Sequence, residues 1–150
     1  MGEEPVGPCG SPPVKGIDSS TILRYVLEDD PVWTLPATRF IDEECTIDDP
    51  GYVSAVVLAE VTWSLRRING FGAQRIYQFV TELLDTDNIV VENESAVEKA
   101  LAAFKRGSAG FADCLIAALN ESAGAAPTFS IDKDAIKSKV FAPIKQEPPK

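Results

Sequence analysis

The sequence predicts an α/β domain of three layers, with helices on both faces of a parallel sheet of four or five short strands. Short apolar segments alternate with helical patterns along the chain, and this alternation is typical of parallel sheets. The chain has 150 residues, of which 45% are apolar and 25% charged, as expected for one globular domain. The domain is predicted at 14–142, between a Pro-rich flexible leader at 1–13 and a flexible tail at 143–150.

The strands are predicted from short apolar runs that end in turn or capping residues. The first run ends in an acid, and the fourth leads directly into another acid. In chain order the predicted strands are 14–18, 52–53, 88–91, 127–131 and a weak one near 140–141.

The helices are predicted from apolar periodicity and from the residues that cap them. The clearest pattern lies at 74–84, where apolar side chains recur at i, i+3, i+4, i+7 and i+8. Ser19 or Ser20 is predicted to cap the first helix, and Ser54 the third. In chain order the predicted helices are 21–27, 36–44, 55–67, 74–84, 95–104, 111–122 and 133–137.

Composition excludes several classes of protein. Histidine is absent, which excludes Ser-His-Asp and Cys-His catalysis and His-ligated zinc. The three cysteines form no CxxC pair, so a reducing, cytoplasmic location is expected. No signal peptide or membrane span is expected. The net charge of −9 argues against coating of nucleic acid by bulk charge, although a bound cation can invert the local field.

Four acids stand in surroundings that are unusual for a solvated charge. Asp18 and Asp132 follow predicted strands, Glu60 interrupts an apolar helix, and Asp113 stands near the start of another. In parallel sheets the ligand site lies at the carboxyl ends of the strands. Converging carboxylates would repel one another, and a divalent cation would relieve that repulsion. Oxygen ligands alone favour Mg²⁺ or Mn²⁺, and such a site suits phosphodiester hydrolysis.

Each acid also has a plain structural explanation. The acid after the first strand can cap the next helix, as Asp113 can cap its own, and Asp132 can belong to a turn. Glu60 can form a buried ion pair with Arg24 or Arg39. No single acid decides between these explanations and a metal site, and the prediction depends on all four together.

Four segments resemble the motifs of one known family. The segment Ile17-Asp18-Ser19-Ser20-Thr21-Ile22-Leu23-Arg24-Tyr25 is similar to the opening of PIN-domain proteins, in particular VapC-like toxins of bacterial toxin–antitoxin pairs. Segments 54–63, 111–118 and 128–133 resemble the second, third and closing motifs of that family. The likeness covers about 14–135 with the motifs in order.

The resemblance implies a PIN-like fold and a Mg²⁺- or Mn²⁺-dependent endoribonuclease. Asp18, Glu60, Asp113 and Asp132 would then be the catalytic, metal-binding acids, and Ser20 would hold a carboxylate or a metal-bound water. The resemblance also implies an RNA substrate, a homodimer, and a small antitoxin protein that occupies the groove of the active site.

Two positions depart from the family pattern, and three cations are candidates for RNA contact. Gly110 stands where relatives often have Asp, which weakens the expectation of a second metal, and Ser20 stands where many have Asn. Arg24, Lys105 and Arg106 are candidates for contacts to RNA phosphates, since Lys and Arg usually position the backbone.

Two other classes of protein compete with the nuclease. A non-catalytic PIN-like module could use its acids to dock a protein partner, and Gly110 favours this alternative. A phospho-acceptor receiver domain also places acids at strand ends. Ser54 stands where a receiver needs its acceptor Asp, which ranks that alternative low.

Overall fold

The computed structural model describes residues 14–68, 70–107 and 109–146. The chain divides into two compact units, Met1–Glu92 and Asn93–Lys150. The predicted leader at 1–13 lies outside the described residues, as does the end of the predicted tail at 147–150. In the part of the chain that the structure describes, no helix is long and apolar enough to cross a membrane.

The first unit contains a sheet of three parallel strands. These are β1 (Lys15–Gly16), β2 (Gly51–Val53) and β3 (Ile89–Val91), with β2 in the centre. Lys15 pairs with Gly51, which in turn pairs with Ile89. Because all three strands run the same way, the residues that follow them share one edge of the sheet. That edge carries Asp18, Ser54 and Glu92 in sequence after the strands.

Four helices accompany this sheet. They are α1 (Ser19–Leu27), α2 (Thr34–Arg39), α3 (Ala55–Arg66) and α4 (Ala73–Asp85), and a π-helical turn continues α2 over Phe40–Glu44. Their apolar residues form the core, where the largest buried side chains include those of Val53, Leu58, Leu65, Ile76 and Val80. The predicted helices are therefore confirmed in this unit, with shifts of one or two residues at their ends.

The cap of α1 differs from the prediction. Asp18 caps the helix, because its Oδ1 accepts a hydrogen bond from the Thr21 backbone N–H at 3.0 Å. The prediction of Ser19 or Ser20 as the cap is wrong, since the extended backbone ends at Asp18 (φ −90°, ψ 172°) and both serines already lie in the helix. The predicted Ser54 cap of α3 is confirmed, and its hydroxyl accepts from Val57 N–H at 3.2 Å.

Gly51 lies where the central strand is most crowded, so Gly51→Ala is expected to destabilise the protein by about 1–3 kcal/mol. A Cβ there would lie 3.0 Å from Cys45 Sγ and 3.1 Å from Ile89 Cδ1, and would press harder still on Ile17 Cδ1. Urea unfolding measures this loss. Gly16→Ala is the matched control, because a Cβ at Gly16 meets nothing within 4 Å. Equal stability of the two variants would contradict the packing described here.

In its described residues, the second unit contains three helices and two strands. They are α5 (Glu94–Arg106), α6 (Phe111–Ser122), β4 (Phe129–Ser130), α7 (Lys133–Lys137) and β5 (Ala142–Pro143). Helices α5 and α6 pack closely, with Phe104 and Phe111 edge to face at 5.8 Å between ring centroids. Strand β4 pairs in parallel with β5.

Among the described residues five strands are found, within the predicted range of four or five, and all of them pair in parallel, which confirms the α/β class. They form a three-stranded and a two-stranded sheet, each within one unit. The last strand starts two residues later than predicted, at Ala142. Val140 and Phe141 instead bend away from an extended course after the turn at Lys139, where φ is 68°.

Candidate metal-binding site

Asp18 follows β1 at the carboxyl edge of the three-stranded sheet and remains exposed to solvent. Besides the bond from Thr21, its two carboxylate oxygens each accept from the Ser20 hydroxyl at 3.1 Å. The backbone hydrogen bond of Thr21, followed by the side-chain bonds, holds the pKa of Asp18 below its ordinary value. The group is therefore a carboxylate at neutral pH, and the Ser20 hydroxyl donates hydrogen bonds to it.

Glu60 lies on α3 and is also exposed, so the expectation of a buried charge is wrong. The helix turns its apolar residues inward and leaves one face outward. Val56 and Trp63, at i−4 and i+3 from Glu60, are 69% and 57% exposed on that face. Among the described residues no ion pair joins Glu60 to Arg24 or Arg39, which removes that alternative.

Ser19 is a site residue that the sequence analysis missed. Its hydroxyl donates to Glu60 Oε2 at 2.8 Å and so joins the first residue of α1 to the exposed face of α3. The two consecutive serines thus hold one carboxylate each, Ser20 that of Asp18 and Ser19 that of Glu60. The signal was the serine pair at 19–20, in which Ser19 was interpreted only as a possible cap.

Glu92 is a second acid at this edge that the sequence analysis passed over. Its Oε1 accepts from the Ala55 backbone N–H at 2.8 Å, which satisfies one of the unpaired donors at the start of α3. Its role in the structure is therefore to fix α3 against the end of β3.

The second unit brings Asp113 and Asp132 close enough to affect each other. Asp113 is the third residue of α6 and is partly buried, while Asp132 caps α7 by accepting from Asp134 N–H at 2.9 Å and Ala135 N–H at 3.2 Å. Burial, and then the charge of Asp132, raise the pKa of Asp113 above its ordinary value of 3.8. The charged form of Asp113 is therefore disfavoured by its surroundings in the protein.

Gly110 occupies the cap of α6 in place of the acid that relatives often carry. Its backbone is extended (φ −68°, ψ 159°), and a Cβ built on it meets nothing within 4 Å. The position would therefore accept a Cβ without a clash. The backbone at position 110 does not require a glycine, so the difference from relatives that carry Asp is one of side-chain chemistry.

Asp113→Asn is expected to stabilise the metal-free protein at neutral pH. A carboxyl whose pKa is raised on folding costs stability once it ionises, so the gain appears as the pH rises above 3.8 and vanishes below it. Melting temperatures with EDTA between acidic and neutral pH measure this gain. Asp132→Asn should give part of the same gain, because Asn keeps the cap of α7 and removes the neighbouring charge. A lower melting temperature for Asp113→Asn at neutral pH would contradict the pKa direction.

The donor chemistry fits a hard divalent cation. Within each unit, the described residues include no group of three or more Asp, Glu or Cys placed to hold a metal ion. Each unit instead contains two of the four predicted acids, Asp18 and Glu60 in the first and Asp113 and Asp132 in the second. The side chains of these acids offer oxygen atoms as their only donors to a metal. Such donors suit Mg²⁺ or Mn²⁺, and a cation would relieve the repulsion between Asp113 and Asp132. The convergence of all four acids stays a prediction.

Arg24 forms ion pairs with two acids that follow α1. Its Nη1 is 3.2 Å from Asp29 and 3.7 Å from Asp30. Together with Asp18 and Trp33 it lines a cleft of about 870 Å³. The predicted contact of Arg24 with RNA stays a prediction, and so do those of Lys105 and Arg106, which are exposed in the last turn of α5.

Acids at the carboxyl ends of parallel strands, with further acids on the helices, are typical of α/β domains that act on phosphate esters with a divalent cation. Comparison with protein families narrows this class to one family. The family model for the PIN domain matches residues 16–139, so the chain belongs to the PIN domain family. That family has the three-layer α/β/α fold predicted above, a nuclease-type fold that typically uses Mg²⁺ or Mn²⁺. Comparison with curated proteins and with solved structures gave no match.

Proposed function

We propose that this protein is a metal-dependent endoribonuclease and the toxin of a VapBC-type toxin–antitoxin pair. The observation that carries the proposal is the paired presentation of Asp18 and Glu60. Both carboxylates are exposed, and each is oriented by a hydroxyl from the start of α1, at 3.1 Å from Ser20 and 2.8 Å from Ser19. The hydrogen bonds from Ser19 and Ser20 to these exposed carboxylates would contribute little to the stability of the fold. They would instead orient the carboxylate oxygens as ligands for a metal ion.

The four acids have defined roles in this proposal. Asp18, Glu60, Asp113 and Asp132 would hold Mg²⁺ or Mn²⁺. When bound, the cation supplies Lewis-acid activation and neutralises charge on the phosphate. The two serines keep the carboxylates of the first unit in one orientation, so that less order has to be created when ligand binds.

RNA as the substrate, a cognate antitoxin and a homodimer belong to the same proposal. The resemblance to VapC-like toxins supports them, and exposed apolar side chains of the first unit would supply contact surface. The most exposed large ones there are Ile47, Val56, Val32, Trp33, Leu35 and Trp63.

Cleavage of single-stranded RNA by the purified protein tests the proposal. We expect cleavage with Mg²⁺ or Mn²⁺, none with EDTA, and recovery when Mn²⁺ is added back in excess. A preparation of Glu60→Gln made in the same way controls for contaminating nucleases. Cleavage that survives EDTA, or that the variant retains in full, would contradict the proposal.

The alternative, a non-catalytic module that docks a protein partner, predicts the opposite results. If it holds, we expect no cleavage, a melting temperature that divalent metal does not change, and tight binding of a protein partner. The glycine at position 110 is the observation in its favour. For the toxin role, expression without a partner should slow bacterial growth, and the Glu60→Gln protein at equal abundance should not.

A further inference from the structure

The net negative charge of the protein comes from its first unit. Segment 1–92 contains 16 Asp and Glu against six Lys and Arg, whereas segment 93–150 contains seven against eight. The second unit therefore carries a small excess of positive charge in a protein whose net charge is −9. A polyanionic ligand would meet the least repulsion on this unit.

A cleft of about 550 Å³ in the second unit gathers three of these cations. Lys99, Arg106 and Lys139 line it, together with one acid, Glu121. Alanines of α5 and α6, together with Gly107, make up much of the remaining wall, and none of the described residues that line the cleft is aromatic. The small side chains between the cations leave room for a phosphate group, but a nucleotide base could not stack on them.

We propose that this cation cleft, lined by Lys99, Arg106 and Lys139, binds the phosphate backbone of the RNA substrate. The inference rests on the proposed function and assigns to the second unit the sequence-independent part of RNA binding. Arg106 was already a candidate for RNA contact, whereas Lys99 and Lys139 are new.

The contacts of the three cations leave them able to bind a phosphate. The Lys99 ammonium is 3.5 Å from Glu121, and the two side chains are 61% and 59% exposed, so this ion pair is weak and easily exchanged. Arg106 is exposed and presents a planar fork of donors. Lys139 stands in the turn after α7 with φ 68°, which fixes its backbone between helix and strand.

Binding of a labelled single-stranded RNA, measured by fluorescence anisotropy in EDTA, tests the inference without turnover. Each phosphate contact to a single strand contributes about 0.7 to the slope of log K against log salt. Lys99→Gln, Arg106→Gln and Lys139→Gln should each lower the slope by about that amount, which weakens binding about fivefold at 0.1 M salt. The triple variant should lose about 100-fold.

Two controls separate the cleft from general charge. Lys145→Gln removes the same charge from an exposed position of the same unit outside the cleft, and it should leave the affinity within about twofold. Glu121→Gln removes the one acid among the lining residues and should tighten binding. This change of sign is not expected if the cations serve folding alone. Unaltered melting temperatures would show that the variants are folded.

The outcomes distinguish this inference from the proposed function. If the wild type cleaves RNA but the cleft variants bind it as Lys145→Gln does, the inference is overturned and the nuclease stands. If the wild type neither binds nor cleaves RNA, both fail. In the last part of the experiment, inorganic phosphate or a mononucleotide competes with the labelled RNA for binding. Displacement of RNA at low concentration, lost in the triple variant, would assign the cleft to a small phosphate ligand and overturn the assignment to RNA.

Discussion

Asp18→Asn is expected to lower the rate of metal-dependent RNA cleavage by at least about 100-fold, the effect of losing about 3 kcal/mol of transition-state stabilisation. Asparagine keeps the side-chain oxygen that accepts from the Thr21 backbone N–H, so the cap of α1 survives. The negative charge is lost, together with one of the two oxygens that accept from the Ser20 hydroxyl. Initial rates with Mn²⁺, together with the melting temperature, measure the two effects separately.

Asp18→Ala is the matched control for this substitution. It removes the cap together with the charge, so it should add about 1 kcal/mol of destabilisation to the same loss of cleavage. Cleavage by Asp18→Asn at the wild-type rate would reduce Asp18 to a helix cap and remove it from the catalytic residues.

Glu60→Gln is expected to cause a loss of at least about 100-fold in cleavage with no measurable change in stability. Glu60 is exposed, and the amide oxygen of glutamine can still accept the 2.8 Å hydrogen bond from the Ser19 hydroxyl. The substitution therefore removes charge and preserves shape. Rates and urea unfolding of the same preparations measure the result. Parallel losses of activity and of stability would show that Glu60 acts through the fold.

Ser19→Ala tests how the carboxylate of Glu60 is positioned. Ser19 would not itself hold the metal, so its loss should cost about tenfold in cleavage, the effect of one hydrogen bond to a charged group. The loss should be larger at low Mn²⁺ than at saturation, and Ser19→Thr should restore most of it. Equal loss at every Mn²⁺ concentration, or no rescue by threonine, would contradict a positioning role.

The local features of the fold could be predicted from the sequence because they depend on neighbouring residues. Helix α6 begins and ends at the predicted residues, and Ser54 caps α3 as predicted. The division of the strands into two sheets could not be predicted, since pairing depends on residues distant in the chain. The pairing of Phe129 with Ala142 is one such case.

The four site acids stay predictions, and the sequence singled out those at 18 and 132 because each follows a predicted strand. The exposure of Glu60 was missed because its helix was judged by its apolar content, although Val56 and Trp63 share its face by helical spacing. The role of Ser19 depends on the packing of α1 against α3, and the cation cleft depends on that of α5 against α6. Neither packing is encoded by spacing along the chain.

Calorimetric titration of Mn²⁺ into the metal-free protein is the most direct measurement of the central claim, that these carboxylates bind a divalent cation. The wild type should bind Mn²⁺, and each of the single variants Asp18→Asn, Glu60→Gln, Asp113→Asn and Asp132→Asn should bind it at least about tenfold more weakly, a loss of about 1.4 kcal/mol or more. Equal Mn²⁺ affinity in the wild type and all four variants, or no binding by the wild type, would contradict the claim.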